Sequence, residues 1–591
     1  MSPTPRPRDP GRQSRALRAR VPAPPSGDRV RAVPPMPRNA APPLPVEVAR
    51  QAQREMDRLR RLPSGTPEAA QVRAYLHWLW NVPWNVTAAE DADLAHVQSV
   101  LESEHLGLAK AKERILEYLA VRQLKPDLPG PALCLVGPPG TGKSSLGAAA
   151  ARALQRPFAR LSVSGTSDVG ELGGVPRTSP AGQPGKILRA LHEAGVKNPI
   201  LMIDGVDRLV GEGGLRVLEV LVELLSPESS SRFTDRYLGL PLDLSHAVLF
   251  LCANNLDFVP DPLQEHLEVI EVPGYSEEEK LEIARRFLVP RELQAHGLTT
   301  RDLVIPDGTL QAMVRSYTLE AGVRSFDRQI ATLCRKVARA RVLGDRSRHV
   351  ITVEGLEGYL GHRLYAQEAL EKEDEVGVAT GLAWTAAGGE ILVVEALKMP
   401  GTGRVVTTGQ LGEVMKESVQ AAHSYVRSRA DLLEIDAEAF STYDIHIHFP
   451  AAGVPKDGPS AGITVGLVIA SVLSEKPIRH DIAMTGEVSL RGKVLVVGGL
   501  REKALAAYRA GIRTLLFPAA NLKDIGDVPE DVRSRLELVP VVNMDEVLGL
   551  ALHRVIVPQR IAGDFVIELD EQEAAEESQD AVRAARGARR V

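Results

Sequence analysis

Ala132-Leu-Cys-Leu-Val136 runs directly into Gly137-Pro138-Pro139-Gly140-Thr141-Gly142-Lys143-Ser144, and an Ala- and Leu-rich stretch follows. An apolar strand, a glycine loop and a helix in that order predict an α/β core built to hold phosphate. The glycines let backbone N–H groups close around phosphate oxygens, and the new helix adds its positive end. Lys143 is placed to reach the terminal phosphates and Ser144 to hold magnesium, so ATP or ADP with Mg2+ is the expected ligand. A chance glycine turn is the competing reading, and the flanking strand and helix argue against it. Binding a nucleotide and hydrolysing one remain separate properties.

Outward from this loop, residues 124–275 alternate apolar strands with helices, with strands expected at 132–136, 199–204 and 247–252. The second of these ends in Asp204, a carboxylate placed to hold magnesium through water. Residues 276–363 read as mostly helical, with one-sided apolar faces over 277–288 and 310–342. Upstream, residues 44–123 carry Leu, Val and Ile at spacings of three and four, which predicts a helical arm. Tyr75, Trp78, Leu79, Trp80 and Trp84 read there as a packing cluster, not a base-stacking platform. Residues 1–43, rich in Pro, Arg and Ala, read as a disordered basic tail. Downstream, residues 364–562 form a second α/β unit, with strands at 391–395 and 444–449 and helices near 411–430, 459–474 and 500–511. Residues 563–591 are a charged tail, acidic and then basic. The fold class expected is multidomain α/β.

A chain of 591 residues has material for three or four such domains. Its 44% apolar and 25% charged residues are those of a soluble globular protein. A net charge of −5 argues against wholesale nucleic-acid binding, and the Arg-rich tail reads as a solvated leader before it reads as a nucleic-acid contact. Cys134, Cys252 and Cys334 are odd in number and far apart, which points to a reducing compartment without a disulfide or zinc framework. No apolar run reaches the roughly 20 residues that span a bilayer, and no secretion signal opens the chain, so a cytoplasmic location without membrane partners is expected.

A second chemistry stands in the downstream unit. Pro455-Lys456-Asp457-Gly458-Pro459-Ser460-Ala461-Gly462 sets a serine among small residues at the expected start of a helix. Small neighbours admit a substrate carbonyl, and nearby backbone N–H groups can form an oxyanion hole. No G-x-S-x-G elbow is present, so the base must come from elsewhere. Lys503, between Val494-Leu-Val-Val-Gly-Gly-Leu500 and Ala-Leu-Ala-Ala, emerges on the apolar side of a helix, where desolvation lowers an amine pKa. Alone, such a lysine is more often a snorkelling surface residue.

The combination is recognisable. Gly377-Val-Ala-Thr-Gly-Leu-Ala-Trp384, Gly409-Gln-Leu-Gly-Glu-Val-Met-Lys-Glu417, Asp444-Ile-His446-Ile-His448, the serine loop and Thr485-Gly-Glu-Val-Ser-Leu-Arg-Gly-Lys-Val494 resemble the proteolytic domain of the Lon family. The resemblance extends back through an AAA+ module with its helical lid to about residue 46. It implies Ser460 as nucleophile and Lys503 as general base, passing through an acyl-enzyme and needing no cofactor for proteolysis. Thr485 is the candidate partner that orients Lys503. Asp457 either shapes the substrate-side loop or is a turn aspartate. His446 and His448 share a strand face, and a structural role is favoured over a base or a metal site. The resemblance also implies a homohexamer acting on unfolded polypeptides.

Against the same family, Asn254 fits the polar sensor and Arg324 the lid arginine. Three motor positions depart. Gly205 stands where a glutamate orients the attacking water, and Asp207 is a poor substitute. His266 stands where an arginine finger is expected, and Ser179, followed by Pro180, where an aromatic–aliphatic pair grips the substrate. Lon proteins also carry a large N-terminal substrate-binding domain, while here a tail and a helical arm precede the core. The set resembles the Lon-like branch called LonC, which implies proteolysis of loosely folded proteins without ATP hydrolysis. An ATP-dependent Lon protease and a non-proteolytic, ATP-responsive holdase are the alternatives.

Overall fold

The computed structural model describes residues 44–553, apart from 64, 90–92, 126–130, 167, 210, 366–372, 386–387 and 451–455. The two expected tails, 1–43 and 563–591, lie outside the described residues, as do residues 554–562.

The chain divides after Val86 into two units. In the first, helices Val46–Arg61 and Pro67–Asn81 pack together. Thr66 caps the second by accepting the Ala69 N–H at 3.3 Å, and Pro67 fills the first helical position, where no N–H is needed. Tyr75, Leu79 and Trp84 are buried, and the Trp84 indole N–H donates to Leu79 O at 2.9 Å. Trp78 and Trp80 are only half-buried.

The second unit begins with helices Leu94–Glu104 and Ala109–Leu124. Then come five strands, β1 (Ala132–Val136), β2 (Phe158–Ser162), β3 (Ile200–Asp204), β4 (Val248–Ala253) and β5 (Leu267–Glu271). They form one parallel sheet in the order β2-β3-β4-β1-β5. β1 is fully buried between β4 and β5, which is why it reads as an unbroken apolar run. The glycine loop leaves its C-terminal end, where open α/β sheets bind ligands.

One helix expected to be continuous is widened by a π-turn, and another is broken. The 277–288 stretch is a helix over Glu277–Ile283, a π-turn over Ala284–Leu288 and a new helix over Val289–Ala295. Pro290 has no N–H for the i→i−4 ladder, so the ladder widens ahead of it. The 310–342 stretch divides into Asp307–Tyr317 and Arg324–Val342. Gly322, in the connection, lies so close to the phosphate loop that a Cβ there would meet the Gly140 carbonyl carbon at 2.4 Å.

The downstream unit is a seven-stranded sheet of β6 (Val378–Thr385), β7 (Gly388–Pro400), β8 (Val405–Thr408), β9 (Tyr443–His448), β10 (Ile482–Met484), β11 (Thr514–Pro518) and β12 (Glu537–Val541). Their order is β8-β9-β7-β6-β10-β11-β12. β7 is far longer than the expected 391–395 because it pairs antiparallel with β6 and β9 at once. Each face of the sheet has its own core. Helices Glu413–Ser428 and Gly462–Ser474 pack with Val394, while helix Leu500–Ala510 packs with Leu382 and Ile391 on the other side. Among the described residues no helix is long and apolar enough to cross a membrane.

Candidate active site

Ser460 lies in a single 3-10 turn, Pro459–Ala461, that leads into the buried helix Gly462–Ser474. Gly458, at φ 124°, turns the chain into it through backbone open to glycine. The turn is stapled to the segment that follows β10. Ser460 O accepts Gly486 N–H at 2.8 Å and the Thr485 hydroxyl at 3.3 Å, and Ile463 N–H donates to Gly486 O at 3.1 Å. Asp457 anchors the other side. Its Oδ1 accepts Met415 N–H at 3.0 Å and Gly458 N–H at 2.9 Å. Met415 stands in the first turn of helix Glu413–Ser428, whose N-cap is Gly412, so Asp457 satisfies that turn from outside. A Cβ on Gly412 would lie 2.2 Å from the Asp457 carboxyl carbon, which accounts for the glycine.

Lys503 projects from the first turns of helix Leu500–Ala510 and is only 2% exposed. Its Nζ donates to Thr485 Oγ1 at 2.9 Å. Burial pushes its pKa down to about 8, against the opposing field of Glu502. Thr485, fully buried, thus takes a hydrogen bond from Lys503 and gives one to the Ser460 backbone. Among the described residues no hydrogen bond joins Ser460 Oγ to Lys503 itself. Such contacts tighten when substrate binds.

His446 and His448 stand apart from this pair on β9. Thr408 Oγ1 is 3.0 Å from His446 Nε2 and 2.7 Å from His448 Nδ1. Among the described residues no group of three or more His, Cys, Asp or Glu side chains could hold a metal. Cys134, Cys252 and Cys334 are buried, and burial raises their thiol pKa values to about 12, 12 and 11.

At the phosphate loop, Gly140 and Gly142 take φ of 83° and 95°, a conformation costly for other residues. Thr141 Oγ1 donates to Pro138 O at 2.9 Å. Lys143 opens the helix, and its ammonium donates to Pro138 O at 2.8 Å and to Gly137 O. Ser144 follows, half-buried. Arg324 starts its lid helix against Gly140, and Val323 N–H donates to Gly140 O at 3.1 Å. The cradle, the helix N-terminus and Lys143 fit a nucleotide phosphate.

The rest of the motor is differently arranged. Asp204 ends β3 with its carboxylate ion-paired to Arg160. Gly205 follows at φ 83°, and a Cβ there would meet Ser164 Oγ at 1.8 Å. Asp207 is tied to the backbone of Asn254, whose N–H it accepts at 2.8 Å and whose Oδ1 takes a hydrogen bond from Lys143 at 3.4 Å. His266 lies at the other end of the sheet from the glycine loop, its carbonyl accepting the N–H of Ala132 at 3.1 Å. Ser179 sits in a loop closed by Val175 and Gln183. The fold therefore gathers Gly140, Lys143, Asn254 and Arg324, and leaves His266 and Ser179 remote. The sequence reading passed over Arg160, Ser164 and Tyr275, whose hydroxyl donates to Thr141 O at 2.8 Å. None carries a motif, and only the fold brings Arg160 to Asp204, Ser164 to Gly205 and Tyr275 to the glycine loop.

Residues 133–273 match the AAA family (ATPase family associated with various cellular activities). Residues 294–350 match the Lon protease AAA+ ATPase lid domain, and residues 350–554 match the Lon protease (S16) C-terminal proteolytic domain. The Lon protease of Desulforamulus reducens is 46% identical over 509 residues, 86% of this chain and 63% of that protein. The chain belongs to the Lon protease family. The Lon protease of Chloroflexus aggregans is 48% identical over 521 residues (87% of this chain, 63% of its own length). Lon protease 2 of Sorangium cellulosum is 47% identical over 509 residues (86% and 63%). The chain thus spans about 63% of the length of these Lon relatives. Their names do not set it in any branch of the Lon family, so the question of ATP falls to its own residues.

Proposed function

We propose that the chain is a Ser–Lys endopeptidase that cuts unfolded or loosely folded polypeptides. The carrying observation is Lys503, buried, hydrogen-bonded to Thr485, and therefore linked to the backbone of Ser460. With a pKa near 8, a useful fraction of the amine is neutral at physiological pH and can take the Ser460 proton. Ser460 Oγ then attacks the scissile carbonyl, and the protonated amine returns its proton to the leaving nitrogen. Water repeats the sequence on the acyl-enzyme. Asp457 holds the loop that carries the nucleophile.

The AAA module, in this reading, binds ATP or ADP and hydrolyses little of it. Lys143, Ser144, Asn254 and Arg324 would hold the phosphates, with Ser144 and Asp204 toward Mg2+. A bound nucleotide would supply phosphate charge for Lys143 and Arg324 to neutralise. Gly205 and its neighbour Ser164 leave no glutamate to orient water, and His266 lacks the fixed charge of an arginine finger. The family resemblance supports a homohexamer, which would enclose the Ser460 sites. Three buried free cysteines suit a reducing, cytoplasmic setting. A second reading, an ATP-dependent Lon protease, is favoured by one observation: the identity to named Lon proteases runs through the AAA stretch as well.

One experiment separates them. Unfolded casein and a stably folded protein are incubated with the chain, with and without ATP. Casein cleavage that ignores ATP, a resistant folded protein and negligible phosphate release are expected. ATP-stimulated loss of the folded protein would establish the second reading, and no cleavage of either substrate would leave a holdase.

A further inference from the structure

The helix Leu500–Ala510 carries Lys503 on one side and something else on the other. Residues two apart on a helix point about 200° apart, so Arg501 faces away from Lys503. Its guanidinium meets the AAA module. Nη2 donates to Gly274 O at 2.9 Å and lies 3.4 Å from Glu279 Oε2, while Nη1 donates to Asp527 O at 2.6 Å. The side chain is 16% exposed. Two helical turns on, the Tyr508 hydroxyl stands 3.5 Å from Glu278 Oε1. Glu277, Glu278 and Glu279 form the first turn of the lid helix, fixed by a capping box between Ser276 and Glu279. Arg501 is therefore received by a rigid, acidic helix start.

The opposite wall is equally close. Arg509 Nη2 donates to Gly389 O at 2.7 Å, and a Cβ on Gly389 would lie 1.9 Å from Glu502 O. The helix is wedged between β7 and the AAA module, with Lys503 held inward. Gly274 also precedes Tyr275, whose hydroxyl bonds the glycine loop at Thr141 O.

We infer that Arg501 is a positioning residue for Lys503, and that the AAA module serves as the buttress of the proteolytic site through it, whether or not nucleotide is hydrolysed. This rests on the Ser–Lys reading above. The physical reason is desolvation. Lys503 meets Thr485, and Glu502 is the charged group whose field reaches it. Its amine stays a good base only while the helix keeps it out of water. A loosened helix lets water in, raises the affinity for the proton, and moves the amine off its line to Ser460.

The test is steady-state cleavage of a fluorogenic peptide by the full chain across pH 6–10, for wild type, Arg501→Ala, Arg501→Lys, Glu279→Gln and, as a control, Arg533→Ala on the exposed surface. Arg501→Ala is expected to lower kcat on the order of tenfold or more with little change in KM. Its acid limb should move to higher pH. Arg501→Lys should restore part of the rate, Glu279→Gln should show a smaller shift of the same sign, and Arg533→Ala should match wild type. Wild-type kcat and pH profile in Arg501→Ala would overturn the buttress alone. So would an Arg501→Ala loss with an unmoved acid limb. If Arg501→Ala fails to fold, Glu279→Gln decides: an unmoved limb there overturns the buttress. A wild-type chain that cleaves no peptide overturns the Ser–Lys reading and this one together.

Discussion

Gly205 and Ser164 are a matched pair. At φ 83° any residue but glycine costs about 1–2 kcal/mol, and a side chain there begins inside the Ser164 hydroxyl. Restoring the expected glutamate alone should therefore fail. Gly205→Glu is expected to leave phosphate release at the wild-type background, while Ser164→Gly with Gly205→Glu raises it by roughly tenfold or more. A colorimetric phosphate assay decides, and hydrolysis regained by Gly205→Glu alone defeats the packing argument. At the other centre, Ser460→Ala should cut peptide cleavage by on the order of a thousandfold with an unchanged melting curve. Lys503 sets the pH dependence. Its pKa near 8 means kcat/KM rises about tenfold per pH unit below 8 and levels above it. A limb near 6.5 would point to a histidine base instead.

At the scale of elements, the helix bearing Lys503 depends on a glycine in the strand beneath it. Gly389→Ala would drive a methyl group into Glu502 O, backbone that cannot step aside without moving the helix. The substitution should cost about 2 kcal/mol or more and lower kcat with it, read by denaturant unfolding and peptide cleavage on the same samples. A fully stable Gly389→Ala chain would show the helix to be free to shift. The alternation of apolar strands and helices was legible in the sequence because burial on both faces leaves unbroken apolar runs, as in β1. The glycine loop and the serine loop were legible because each is local, its residues fixed by spacing. The widening at 284–288 and the break at 318–323 were not, since apolar periodicity continues across them while Pro290 withholds an N–H from the ladder and Gly322 approaches the loop. Ser164, Arg160 and Arg501 were illegible for a different reason. Each acts on a partner far away in sequence, and nothing in a single polar residue announces that partner.

The whole molecule carries a pH signature of its buried amines. Lys503 and Lys280 are nearly inaccessible, and burial lowers both to about 8 from an unfolded value of 10.5. Between those limits the unfolded chain binds more protons than the folded one, so stability rises with pH there. It is lost as pH falls through 8. The thiols act in the opposite sense. Cys134, Cys252 and Cys334 ionise at 9.0 when unfolded and at about 12, 12 and 11 when buried, so they favour unfolding as pH climbs past 9. His105, lowered to about 4 by burial, has made its contribution below pH 7. Two amines gain and three thiols lose, and the thiols begin about one pH unit later. Stability should therefore rise from pH 8 and turn over close to pH 9, where the thiols overtake the amines, with a rise of up to about 1.4 kcal/mol per pH unit for each lysine. Lys503→Met with Lys280→Met should flatten the rising side and leave the alkaline fall in place. Urea unfolding from pH 7 to 10 measures it. A steady decline from pH 7 to 9 in the wild-type chain would mean that the buried lysines are solvated, and Lys503 would then lose its standing as a neutral base.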